Sequence, residues 1–408
     1  MKMKTIKILI IGLLLLTSIT CVSAFKKNEE LNLCAYSSEL LKAIPYAQVY
    51  VDDDNTEGPW DGTYKHPYQH IQDGINAAQE GDIVFVFNGT YNGNKIIEKP
   101  VILKGDRQKS IITGENIFIN NTNNVSISGF SIKHLTTYGL CVKQSSNCKI
   151  NDNYFYDCFS GGIYIDNSSG NTICFNTIDG VLNICCRNWN GIVLIYGSTN
   201  NNVYKNNINN TYVKGIWLKD VSNNVISNNV IKNIKGAKWA FSYHDFGIHL
   251  YNSSCNIVKE NFIENDKGSA VNIDPGSDTN IFYGNTFIKC ERAIEMDISK
   301  DNVFFENNIT DNNYGYFCNR SLIFPAKNNT FYHNTFSNNN ISVFDKSIRN
   351  NWYNPTLKEG NYWGDYKSRY PNARPKLLRP CIWNTPYSLV PHSLLNKDKY
   401  PLVNPFTK

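Results

Sequence analysis

Methionine is nearly missing from this chain: there are three in 408 residues, two of them Met1 and Met3. Histidine is scarce too, with seven. A copper-type centre wants clustered Met, His and Cys, and this composition leaves little to build one from. Charged residues make up only 18%, nearly balanced; setting aside Lys2, Lys4 and Lys7 lowers the formal charge from +5 to +2, with 37 basic against 35 acidic residues. A near-neutral chain lacks the basic surface that nucleic acid demands. Long apolar runs are absent after residue 24, which argues against a later membrane-spanning helix. The one early run, Ile8 to Leu16, is short for a span and sits between a lysine-rich start and the small residues Val22-Ser23-Ala24. Residues 1–24 therefore read as a cleaved secretory signal, and the mature protein is expected to be secreted or held at the cell surface. Sequons such as Asn88-Gly-Thr and Asn252-Ser-Ser fit an exported glycoprotein.

Of twelve cysteines, eleven follow Cys21, an odd number in no metal-type array. Cys185-Cys186 is the only close pair, and Cys318 reads as a small core residue. An oxidising compartment permits disulfides, but the spacing dictates no pairing.

What the chain has in abundance is one repeated phrase. Asn224-Val225-Ile226-Ser227-Asn228-Asn229-Val230-Ile231 returns as Asn171 to Ile178, Asn280 to Phe287 and Asn329 to Phe336. The central asparagines run 153, 176, 206, 229, 261, 285, 307 and 334, with Phe130 in the same slot one step earlier. Steps of mostly 22 to 24 residues are those of a stacked-coil solenoid. Each period holds a second strand signal: Gly162-Ile163-Tyr164-Ile165, Gly191-Ile192-Val193-Leu194, Gly215-Ile216-Trp217-Leu218, Gly247-Ile248-His249-Leu250, then Ala270 to Ile273 and Ala293 to Met296. Alternation puts one side inward and one outward. A lone coil cannot bury its inner face, so β-branched residues stack from coil to coil. The asparagines are expected in turns, bonded to backbone and to each other in a ladder.

Along the chain, residues 25–47 form an unpatterned leader. Residues 48–97 read as an N-terminal cap and first strand, in which Ile71, Ile75 and Ala78 share one face of a short helix stopping at Gly81. The run Asp52-Asp53-Asp54 is a calcium candidate, but its spacing is not that of the EF-hand loop, and a solvated loop is preferred. Repeats fill 98–350, irregular over 98–132. Residues 351–408 form a C-terminal cap whose basic cluster (Arg369, Arg374, Lys376, Arg379) is read as a solvated face.

The Asn-x-[apolar]-x-x-Asn-x-[apolar] repeat and the Gly-Ile-x-Leu strand resemble right-handed parallel β-helix proteins with NosD-type repeats, in the pectin lyase-like group. Tyr50-Val51-Asp52-Asp53-Asp54-Asn55 and Asn361-Tyr362-Trp363-Gly364-Asp365-Tyr366 resemble the start and end of archaeal surface members. The fold class this implies is all-β: a single-stranded right-handed parallel β-helix with a short N-terminal cap helix and an irregular C-terminal cap. The resemblance also implies a choice of functions: binding a polysaccharide or surface glycan, acting on one as a hydrolase, lyase or epimerase, or assisting copper maturation. No complete catalytic motif of the related enzymes is present.

The outward side of the Gly-Ile strand supplies the candidate site. Tyr164, Val193, Trp217, His249, Asn272 and Glu295 form one column; Asp166, Ile195, Lys219, Tyr251, Asp274 and Asp297 form the next, in coils ~4.8 Å apart. Trp217 and Tyr251 offer flat faces to sugar rings, with Lys219, His249 and Asn272 as polar contacts. Asp274, Glu295 and Asp297 are the catalytic candidates; Asp274 and Asp297, if both lie in the strand, would stand ~5 Å apart, the separation of a retaining glycosidase pair. Insertions at 181–190 and 233–246 flank this strand and would wall a groove with Trp189, Trp239 and His244.

Overall fold

The computed structural model describes residues 47–180, 190–235, 245–265, 267–319, 326–347, 350–389 and 396–407. Three parallel sheets run the length of the repeat region, with 12, 12 and 11 strands. Sheet I begins at Gln48–Val51 and Ile83–Val86, sheet II at Gly89–Asn92 and sheet III at Lys95–Ile97. Every turn visits I, II and III in that order, so the 11 strands of sheet III count 11 turns. The regular stack starts at Ile83, inside the segment assigned to the cap. Over 98–132 sheet I keeps its register, from Ile102 through Ser126 to Lys149, while sheet II slips between Thr113 and Gly114.

The turn sequence Val225–Ser227, Val230–Lys232, Phe246–Tyr251 shows why the phrase makes a coil. Asn228 takes a left-handed φ of 54° and turns the corner from sheet I to sheet II. Asn229, next in line, is folded inward and buried. Its Nδ2 donates to Val203 O at 2.9 Å and to Asn261 Oδ1 at 3.0 Å; its Oδ1 accepts from the backbone and side-chain amides of Asn206. All the bonding capacity of one buried amide is thereby used, which removes the cost of about 1–3 kcal/mol for a stranded polar group. The eight expected asparagines form this ladder, and Asn361 closes it beyond Asn334. A second ladder occupies the corner from sheet III to sheet I. It runs through Asn171, Asn201, Asn224, Asn256, Asn280, Asn302 and Asn329 to Asn350.

The corner from sheet II to sheet III carries a ladder only in its last turns, where Asn312 Nδ2 donates to Phe287 O at 3.1 Å and to Asn339 Oδ1 at 3.0 Å; both flanking insertions leave this corner in earlier turns. The long step from Asn307 to Asn334 in the asparagine series leaves instead between Tyr314–Cys318 and Thr330–Tyr332, from sheet III to sheet I. The second residue of a sheet III strand is small for a steric reason: a Cβ on Gly215 would lie 2.5 Å from Ile231 Cγ2 and 2.6 Å from Gly247 O.

Inside, Ile and Val stacks pass into aromatic ones toward the C-terminus. Phe282, Phe304, Phe331 and Trp352 stack at 4.5, 4.6 and 4.3 Å, and Phe336, Trp363 and Tyr387 at 4.7 and 4.2 Å. The other end is covered by helix Ile71–Ala77, whose Gly74 rests on Val51 and Val84. Both lids keep the terminal core residues from water, as an open solenoid end requires.

Candidate functional site on sheet III

Register fixes the neighbours on the outer face. Tyr164, Val193, Trp217, His249, Asn272 and Glu295 pair turn to turn without a slip. Asp166, Ile195, Lys219 and Tyr251 do the same in the second column, which the strands then leave. Strands Ser269–Ile273 and Arg292–Met296 end one residue before Asp274 and Asp297. Each aspartate adds a single ladder bond, to Leu250 O at 2.9 Å and to Ile273 O at 3.0 Å. Pro275, with no N–H to give, stops the first strand from going further.

Asp274 is drawn toward the first column: its Oδ2 accepts from His249 Nε2 at 2.8 Å. The His249 side chain is only 8% exposed. Its ring lies parallel to the Trp217 indole, 6.1 Å away and 2° off parallel, and leans on Phe246 at 4.8 Å. His249 is thus part of the wall behind the surface, not the outward polar contact expected of it. Glu295 is committed as well: Oε1 accepts from Arg292 Nη1 at 2.8 Å and Oε2 from Ser269 Oγ at 2.6 Å. Tyr251 remains open to solvent at 44%. Lys219 holds its ammonium 5.7 Å from the Trp217 ring and 5.4 Å from that of Tyr196. Trp189, Trp239 and His244 lie outside the described residues.

A third column completes the site: Lys214, Phe246, Ser269 and Arg292, paired in register. Each is the first residue of its strand and stands immediately before a small residue, a signal present in the sequence beside Gly215, Gly247, Ala270 and Ala293. Lys214 Nζ lies 4.5 Å over the Trp217 ring. Burial pushes its pKa down to about 8, against the opposing pull of Asp274 and Asp245. The Arg292 guanidinium packs 4.3 Å over Phe317. Three buried polar atoms here have no partner among the described residues: Trp217 Nε1, Asn272 Oδ1 and Arg292 Nε. Toward the N-terminal turns the face continues into an open depression of about 450 Å³ lined by Asn120, Lys143, Gln144, Asp166, Asn167 and Tyr196.

Among the described residues no three His, Cys, Asp or Glu side chains come together as a metal site. The Asp52–Asp54 loop is tied by its own bonds, Asp54 N to Asp52 Oδ1 at 3.2 Å and Thr90 N to Asp53 Oδ2 at 2.8 Å. The eight described cysteines are all free thiols.

Fold and register together define a right-handed parallel β-helix protein whose conspicuous outer face is sheet III. Its repeats match two family models: "Right handed beta helix region" over residues 115–243 and "Periplasmic copper-binding protein (NosD)" over 237–368. No curated protein matches the sequence. Among solved structures, the chain is similar to a GH136 lacto-N-biosidase from Eubacterium ramulus, at 12% identity and a TM-score of 0.53, over 78% of this chain and 67% of that one. Pectate lyase Pel9A follows at 14% identity and a TM-score of 0.49, over 74% of this chain and 79% of that one. At such identities the likeness is one of fold.

Proposed function

We propose that the outer face of sheet III binds carbohydrate, with Trp217 as the platform and Lys214, Lys219 and Asn272 as its polar contacts. The observation that carries this reading is the register that sets Trp217 beside the ammonium groups of Lys214 and Lys219, with exposed Tyr251 one turn further on. Trp217 Nε1 and Asn272 Oδ1 are buried and have no hydrogen-bond partner among the described residues. Flat rings beside convergent donors and acceptors are what a sugar-binding face requires, and Tyr251 extends the platform by one turn. The lacto-N-biosidase and the pectate lyase named above are carbohydrate-acting enzymes by their titles, which is consistent with such a face on this fold.

A second reading has its own support. Lys214, with its pKa near 8, lies over the Trp217 ring, and the His249–Asp274 hydrogen bond of 2.8 Å stands beside the same ring. This favours an enzyme acting on the same polymer. Replacing Trp217 with Ala and Asp274 with Asn separates the two. Loss of binding in the Trp217 variant with no product released by the parent protein supports a binding module. Retained binding with lost product release in Asp274→Asn supports an enzyme. If neither variant differs from the parent in any glycan assay, the face is ordinary surface. A copper-handling role rests on the family description alone. Export follows from residues 1–24, which lie outside the described residues; N-terminal sequencing of secreted protein should begin after Ala24.

A further inference from the structure

The C-terminal cap presents a feature that glycan binding leaves unused. Strands Pro375–Lys376 and Arg379–Trp383 form an antiparallel hairpin in which Lys376 pairs with Arg379. Leu377 and Leu378 are therefore the whole loop, 96% and 92% exposed. Two-residue hairpin loops favour Asn, Asp and Gly. Two leucines satisfy neither turn chemistry nor packing, so their reason lies outside the folded chain.

The tip is held firmly. Arg379 Nη2 donates to Glu359 Oε1 at 2.7 Å and to Leu357 O at 3.1 Å, and its Nη1 to Lys358 O at 3.1 Å. Trp383 stacks on Tyr366 at 5.0 Å. The arginine bonds bring exposed Leu357 and Lys358 to the hairpin. Lys376 enters the loop with its ammonium 4.8 Å over the Tyr400 ring, exposed Arg374 stands two residues before it, opposite Asn384, and exposed Lys358 is joined to the hairpin through Arg379. Glu359, the neighbouring acid, is taken up by Arg379 and by His333, 2.7 Å from its Oε2. The patch is thus an apolar wedge in a cationic collar with an aromatic beside it.

We propose that this hairpin tip docks the protein on an anionic phospholipid surface, with Leu377 and Leu378 entering the acyl boundary and the collar meeting the headgroups. The chemistry is that of an interfacial anchor: apolar insertion and basic attraction act together, each too weak alone. It involves no spanning segment, and no helix among the described residues is long and apolar enough to be one.

The test uses the full chain and sedimentation with two kinds of vesicle, phosphatidylcholine alone and phosphatidylcholine containing one-third phosphatidylglycerol. The protein should pellet with the anionic vesicles, less so at high salt. Leu377→Asp with Leu378→Asp should lower partitioning by about tenfold or more. Thermal unfolding should stay the same, because these side chains touch nothing. Replacing Arg374 and Lys376 with Glu should weaken binding to anionic vesicles and remove its salt dependence. Absence of binding to either vesicle, or equal partitioning of the leucine variant, would overturn the proposal. So would a dimer in sedimentation velocity that the leucine variant abolishes, since the tip would then dock a second copy of the chain.

Discussion

At the residue scale, Lys214 is the group whose behaviour the site depends on most. Its folded pKa lies near 8, below the ordinary 10.5, because burial penalises the ammonium. The folded chain therefore holds fewer protons than the unfolded one between about 8 and 10.5. Stability from this group is lowest below pH 8 and recovers as pH rises to 10.5. Carbohydrate affinity should move the other way, falling as pH passes about 8 and the charge is lost; Lys214→Met should bind more weakly and without that slope in a titration series. A second residue tests backbone strain. Thr279 is β-branched yet sits at φ 56°, in a slot that Asn147, Asn200, Asn223 and Asn328 fill in other turns. Thr279→Asn should raise stability by about 1 kcal/mol, measured by urea unfolding; a decrease would show that the Thr279 bond to Asp278 O (2.7 Å) outweighs the strain. The asparagines were legible because their offset from apolar neighbours is fixed by the corner they turn. The burial of His249 was not, since it depends on Trp217 and Phe246, one in the preceding turn and one three residues back. Glu295 looked available from its column; its commitment depends on Arg292 and Ser269, in a slot the alternation did not single out.

At the element scale, the corners decide where the coil can vary. Two corners are pinned by asparagine ladders along the stack, while the third is pinned only in the last turns, by Asn312 and Asn339, and both loops beside sheet III enter there in earlier turns, where it is not. Asn229→Ala should cost about 1–3 kcal/mol, because the amides of Asn206 lose their acceptor and Val203 O its donor. Asn229→Asp keeps the acceptor and loses the donors, so comparing the two by urea unfolding apportions the ladder. A substitution that costs nothing would show the ladder to be incidental. The early turns hid from sequence reading for the same reason. Val101 and Val125 stand where the second ladder would place asparagine, and Phe130 takes the first ladder's slot. The offset disappears there while the strands persist.

At the scale of the whole molecule, a solenoid is only as stable as its ends. The C-terminal end turns on Asp398, fully buried, which accepts from Asn361 N at 2.7 Å, Trp363 Nε1 at 2.9 Å and Tyr400 N at 2.9 Å. Burial raises its pKa from 3.8 to about 7, with those donors pulling the other way. The folded chain then holds the extra proton between those values, so stability from this group is greatest below about pH 4 and is lost as pH rises to 7. Asp398→Asn should flatten that part of the stability profile, and an unchanged slope would reassign it. The cap and the stack carry a long, uninterrupted outer sheet, and its proposed use is the central claim. The most direct measurement is a glycan array probed with the parent protein beside Trp217→Ala, each checked for unchanged thermal unfolding. The parent should bind at least one class of glycan and the variant should bind it about tenfold more weakly or not at all. A parent that binds no glycan, or a variant that binds as well as the parent, would contradict the assignment of sheet III as a carbohydrate site.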